Sequence, residues 1–216
     1  MKNKNGIFIT IEGGEGAGKS THCRLLKEYF EACGKSCVLT REPGGTKLAE
    51  GIRRILLNPK SCVSPIAELF LYEADRAQHV QEIILPALEQ GKVVICDRFI
   101  DATIAYQGYG RKIDLEIIEQ LNRIASFSLK PDITIYLDIE IRRGLQNAKK
   151  LNKESYGLRG DRIEREDAIF HGNVRKGYLS QSKKEPKRIK VIKTRKTPQE
   201  TQKLIREEIK KCLKIF

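Results

Sequence analysis

The sequence predicts an α/β protein: an open, mostly parallel five-stranded sheet with helices on both faces. Three observations lead there. Short, near-continuous apolar runs such as "VVIC" and "ITIYL" read as parallel strands buried on both faces. Segments with helical spacing of apolar residues separate these runs, which gives βαβ units. No repeat or low-complexity linker divides the 216 residues, so residues 1–216 are read as one domain.

The strands are expected at Ile7–Glu12, Cys37–Arg41, Lys92–Asp97, Asp132–Asp138 and Arg188–Thr194. A helix over Lys19–Cys33 places Leu25, Leu26, Tyr29 and Phe30 on one face and stops at Gly34. Ser64 and Pro65 cap a long helix that runs toward Gly91, with a kink at Pro86. Asp114 caps the helix carrying Leu115, Ile118 and Leu121. Thr197 to Glu200 form a capping box with proline at N1. The last helix buries a stripe of Leu204, Ile205, Ile209, Cys212 and Leu213.

Composition excludes several classes. Hydrophobic residues make up 40%, too many for a disordered chain, and no apolar run is long enough for a signal peptide core or a membrane span. The six cysteines form no C-x-x-C pair and read as reduced thiols, with Cys37 and Cys96 in the core. A cytoplasmic protein is the expectation. The formal net charge is +13, and residues 183–216 alone carry 13 Lys/Arg against 4 Glu. With little aromatic interleaving and no recognisable nucleic-acid module, this reads as a solvated basic surface that attracts anionic nucleotides, not as a nucleic-acid site. His22, His79 and His171 are given packing or surface roles.

Ligands of such sheets bind beyond the carboxyl ends of the strands, and the chemistry-bearing residues cluster there. Gly13, Gly14, Glu15, Gly16, Ala17, Gly18, Lys19, Ser20 and Thr21 fit G-x-x-x-x-G-K-[ST] between a strand and a helix. Glycines let the backbone curl with N–H groups inward, and the helix N-terminus adds partial positive charge. Lys19 reaches the β- and γ-phosphates of a nucleotide and Ser20 ligates Mg²⁺, while Asp97 either pairs with an arginine or influences Mg²⁺ through water, a choice the sequence alone does not make. The loop alone does not separate switches, motors and kinases. A second anionic substrate needs positive charge, and Arg41, Arg76 and Arg98 stand where the fold expects ligands.

"REPGGT" (Arg41–Thr46), "DRFIDATIAYQGYGR" (Asp97–Arg111), "PDITIYLD" (Pro131–Asp138) and "DRIE" (Asp161–Glu164) resemble bacterial thymidylate kinases over nearly the whole chain. The resemblance implies a P-loop nucleoside monophosphate kinase fold with a mobile lid. It also implies Mg²⁺-dependent transfer from ATP to dTMP, for dTTP synthesis, by a homodimer. Carried over, it gives Arg41 and Arg98 the dTMP phosphate, Arg76 and Thr103 the thymine, and Gln107 the monophosphate pocket. Tyr72 replaces a stacking phenylalanine and Ala102 replaces a serine. Glu15 faces the acceptor sugar and accepts from its 3′-hydroxyl.

The charged, Gly157- and Gly160-containing stretch after Asp138 reads as a lid over about 149–160. The phosphate loop has no arginine, so the chain resembles the group whose catalytic arginine lies in the lid. Arg159 is the first choice and Arg162 the second. Lys149 and Lys150 stand where an arginine near the adenine is expected. Two other readings stay open: another nucleotide or nucleoside kinase, and a P-loop ATPase stimulated by nucleic acid.

Overall fold

The computed structural model describes residues 5–152 and 160–213. Five strands, β1 (Ile7–Gly13), β2 (Cys37–Arg41), β3 (Val93–Asp97), β4 (Ile133–Asp138) and β5 (Ile189–Lys193), form one sheet in the order β2-β3-β1-β4-β5. Every pairing is parallel. β1 lies between β3 and β4, so the connection from β3 to β4 crosses to the other side of β1 and a crevice opens at the carboxyl ends.

Period-two alternation along β1 decides what each face of the sheet carries. Ile9 and Ile11 enter a core shared with Leu26 and Phe30 of α1 (Lys19–Ala32) and Ile205 and Ile209 of α9 (Pro198–Leu213). Phe8, Thr10 and Glu12 lie at the alternate positions. Phe8 packs edge-on against Phe99 at 4.9 Å. Thr10 shares a hydroxyl hydrogen bond with Thr134 at 2.7 Å. Glu12 is wholly buried.

The remaining helices start where local chemistry allows. Thr46 caps α2 (Lys47–Leu57), Ser64 caps α3 (Pro65–His79), Asp114 caps α6 (Leu115–Ala125) and Asp167 caps α8 (Ala168–Lys184). Each cap is worth about 1 kcal/mol. The Thr197–Glu200 capping box forms, with both reciprocal bonds present. The kink expected at Pro86 is a π-helical widening over Val80–Ile84 before α4 (Leu85–Glu89), with the Leu85 N–H reaching five residues back to the Val80 carbonyl. A ring without an N–H cannot continue the ordinary ladder, and the backbone absorbs the mismatch in the preceding turn.

α5 (Ile100–Thr103) passes into a second π-helical segment, Ile104–Gly110. α7 (Ile141–Asn152) follows β4, with Lys149 and Lys150 in its last turn. All three histidines are buried in packing roles. His22 bonds Gln202 at 2.8 Å, and His79 bridges Thr40 and Glu42. Cys96 is in the core as expected, whereas Cys37 on the edge strand is only half-buried. None of the described helices is long and apolar enough to cross a membrane.

Candidate active site

The loop after β1 curls through positive φ at Gly16 (63°) and Gly18 (87°), which glycine adopts without penalty. No side chain caps the first turn of α1, leaving its amides to an anion. Lys19 folds back over the loop, with Nζ donating to the Gly14 carbonyl at 2.9 Å, and burial lowers its pKa. Ser20 Oγ donates to Asp97 Oδ2 at 2.7 Å, joining the loop to the end of β3. Thr21 lies exposed on the first helical turn. α7 closes over the loop: a Cβ on Gly16 would stand 2.0 Å from the Gly144 carbonyl, and Asn147 donates to the Gly16 carbonyl at 3.2 Å.

Beside the loop lies a pocket lined by Glu15, Tyr72, Arg76, Arg98, Thr103 and Gln107, among others. Six of the seven residues expected around an acceptor are therefore brought together. Arg98 donates to Glu15 at 2.6 Å, and its guanidinium covers the Tyr106 ring at 4.7 Å. The Tyr106 hydroxyl donates to the same Glu15 oxygen at 2.8 Å. Burial works against a charged Glu15, but Arg98, Lys19 and the Tyr106 hydroxyl outweigh it and hold the carboxyl at about 2. Glu15 stays ionised in a loop built for anions because these cations face it.

Arg76 forms the pocket floor. It is 1% exposed and donates to Glu42, Glu73, Asn122 and Thr103. Gln107 donates to Glu68 at 2.8 Å. Burial raises the pKa of the Tyr72 hydroxyl, so it stays neutral at the pocket wall beside Ala102.

Arg41 is not in this pocket. Its half-exposed side chain pairs with Glu50 at 2.9 Å and lines a separate cleft with Ser20 and Asp97. Arg53 of α2 lines this pocket instead, donating to the Pro43 carbonyl at 2.7 Å. Arg162 lies between Asp161 and Ile163, both of which line the pocket. It donates to the Leu56 carbonyl at 2.8 Å and pairs with Glu68 at 2.6 Å. Arg159 and most of the expected lid lie outside the described residues.

Sequence reasoning gave no role to Arg53, Tyr106 or Asp161, all of which line the pocket. Arg53 had a signal: it lies four residues after Ala49 and four before Leu57, both buried, so it shares their helix face. Tyr106 had only its place beside Gln107 in the "DRFIDATIAYQGYGR" motif, because the π-helical turn that turns both into the pocket has no periodic signature.

Ser20 and Asp97 offer hard oxygen donors next to the phosphate cradle, and these suit Mg²⁺. Among the described residues there is no cluster of three His, Cys, Asp or Glu. Mg²⁺ bound through substrate phosphates and water needs no such cluster.

A family model described as thymidylate kinase matches residues 11–205. A thymidylate kinase of Citrifermentans bemidjiense is 50% identical over 188 residues, covering 87% of this chain and 84% of the relative. Another, from Geobacter sp. strain M21, is 47% identical over 207 residues, covering 95% and 92%. The crystal structure of thymidylate kinase from Ehrlichia chaffeensis superposes with a TM-score of 0.77 at 36% identity, covering 95% of this chain and 98% of that one. With a phosphate loop joined through Glu15 to an arginine-lined pocket, the chain belongs to the thymidylate kinase family.

Proposed function

We propose that ATP lies on the Gly13–Thr21 loop and dTMP in the pocket beside it, with Glu15 and Arg98 at their junction. The enzyme is a thymidylate kinase that phosphorylates dTMP to dTDP with ATP. The carrying observation is the Glu15–Arg98–Tyr106 cluster, which ties the phosphate loop to the acceptor pocket at hydrogen-bond distance.

The acceptor phosphate is already an anionic nucleophile, so the protein supplies alignment and charge. Arg98 and Arg53 face the acceptor phosphate, and Lys19 takes the donor phosphates once it releases the Gly14 carbonyl. Glu15 offers its second oxygen to the sugar 3′-hydroxyl. Arg76 and Thr103 form the base end, and Tyr72 stacks on thymine. Ser20, with Asp97 behind it, holds Mg²⁺, which neutralises the donor phosphates when bound. Arg159 supplies the lid's catalytic charge. The site needs no nucleic acid, and the free thiols suit the cytoplasm.

The test is a coupled ADP-release assay with dTMP, dUMP, CMP, AMP and thymidine as acceptors. dTMP is expected to be fastest, and Lys19→Ala to abolish transfer. Faster transfer to another acceptor overturns the pocket assignment.

The working unit is a homodimer. α2, α3 and α6 expose Leu48, Ile55, Ile66, Phe70, Ile117 and Ile124, each 48% or more accessible, while α3 packs against both of its neighbours. So many large apolar side chains on adjoining helices mark an interface, and a second copy covers them. Sedimentation should show a dimer that Phe70→Asp with Ile124→Asp converts to monomer. A monomeric parent enzyme overturns this reading.

A further inference from the structure

Arg98 has a backbone that few non-glycine residues adopt. Its φ is 72°, in the left-handed region, which costs an L-residue about 1–2 kcal/mol. The residue is one of the best-connected in the site, and the connections show what keeps the turn in place.

The Arg98 N–H continues the β1–β3 ladder by donating to the Ile11 carbonyl at 3.1 Å. The left-handed turn then swings the next amide out of the ladder. The Phe99 N–H donates to Glu12 Oε1 at 2.7 Å, and Phe99 itself is wholly buried. A main-chain donor that would otherwise be orphaned thus finds its acceptor on a side chain of β1.

Glu12 has no other exposed business. It is 0% accessible, immediately precedes the phosphate loop, and does not itself line the acceptor pocket. Its second oxygen accepts from the Tyr178 hydroxyl of α8 at 2.8 Å. Tyr178 is fixed in turn by stacking on Tyr136 with ring centroids 4.7 Å apart. An apolar residue would fill this strand position at far lower desolvation cost. The carboxyl group does what an apolar residue cannot: it hydrogen-bonds both the turn and α8.

We propose that Glu12, held by Tyr178, is a positioning residue for the kinase reaction: it stabilises the left-handed turn at Arg98 and so aims the guanidinium at the acceptor phosphate. The proposal rests on the reading of Arg98 as an acceptor-phosphate residue. Glu12 acts through the backbone of Arg98, so its loss should be felt by dTMP and not by ATP.

The experiment measures KM for dTMP, KM for ATP and kcat in Glu12→Ala, Glu12→Gln, Tyr178→Phe and Arg98→Ala. Glu12→Gln keeps an acceptor for Phe99 N–H and a polar partner for Tyr178, and is expected within threefold of the parent in all three constants. Glu12→Ala is expected to raise KM for dTMP tenfold or more while KM for ATP moves less than threefold. Tyr178→Phe is expected to raise KM for dTMP at least threefold. A crystal structure of Glu12→Ala or Tyr178→Phe should show Arg98 relaxing toward negative φ.

Equal shifts in both KM values, or a Glu12→Gln variant as impaired as Glu12→Ala, overturn the proposal, because they report general disruption. If Glu12→Ala does not fold, an unchanged KM for dTMP in Tyr178→Phe overturns it instead. Arg98→Ala separates the two levels. An unchanged KM for dTMP there defeats the reading of Arg98 itself. A large rise there with a normal Glu12→Ala defeats only the positioning role.

Discussion

Glu15 and Arg98, separated by 83 positions in the chain, meet at 2.6 Å where the phosphate loop borders the acceptor pocket. The same Glu15 oxygen also accepts from Tyr106, leaving its other oxygen for a ligand. Glu15→Gln removes the charge that balances Arg98 and weakens the acceptor for a sugar hydroxyl. Hydrogen bonds to charged groups are worth about 1.5–3 kcal/mol, or roughly 10- to 100-fold. KM for dTMP should rise within that range, and the preference for dTMP over its 3′-deoxy analogue should shrink. An unchanged preference in steady-state assays would remove Glu15 from the sugar.

Gly144 tests the roof of the site. In an exposed helix, alanine in place of glycine stabilises by about 1 kcal/mol. Here the added Cβ would lie 2.5 Å from the Glu15 carbonyl oxygen, a contact that the backbone must move to relieve. Gly144→Ala should therefore cost roughly 10- to 100-fold in kcat/KM, since small misplacements at a reacting centre are expensive. Its melting temperature should change little. Parent-like kcat/KM would mean that α7 yields freely.

Glu68 is the hub beneath the pocket. It accepts from Gln107 and Arg111 and pairs with Arg162. Burial alone would raise its pKa, but the hydrogen bonds from Arg111 and Gln107 and the two guanidiniums lower it. Removing it strands two arginines, although Arg111 keeps Glu166 at 2.7 Å. Glu68→Ala should lose about 2–3 kcal/mol in urea unfolding, somewhat less than the ~3–5 kcal/mol typical of a fully buried pair. A loss under 1 kcal/mol would show that the arginines find other partners.

Stability should fall between about pH 5 and pH 8. Burial, together with Asp101, pushes the Glu12 carboxyl up to about 8, and burial with Glu42 pushes Asp75 to about 8. Both folded values exceed those of the unfolded chain, so the native state binds more protons in this window. Their contribution is fully present below the unfolded values and is lost as pH rises through 8. The slope is of order 1 kcal/mol per pH unit for each group at its steepest. Thermal melts across this range should flatten in Glu12→Gln and in Asp75→Asn. A parent profile that rises with pH would contradict the assignment.

The strands were legible to within one or two residues because an apolar run such as Val93–Cys96 has one good destination, a doubly covered parallel sheet. α1 and α9 were legible from caps and stripes. α8 was not, because its inward face carries His171, Tyr178 and Gln181 and shows no clean apolar stripe. The site divides in the same way. Lys19 and Ser20 follow from a motif whose spacing encodes their geometry. Arg41 does not, because strand-end position alone cannot reveal that Glu50, on the next helix, captures it. Arg162 likewise depends on Glu68, 94 positions earlier.

Arg76 bears on how this enzyme's substrate range can change. Its guanidinium already serves Glu42, Glu73, Asn122 and Thr103, with less than one-tenth of any of them exposed. A mutation there leaves two carboxylates facing each other across a dry gap, so the fold suffers before selectivity can shift. Redesign or drift toward other nucleobases has its freedom at Tyr72 and Ala102, on the wall of the pocket, while the floor stays fixed.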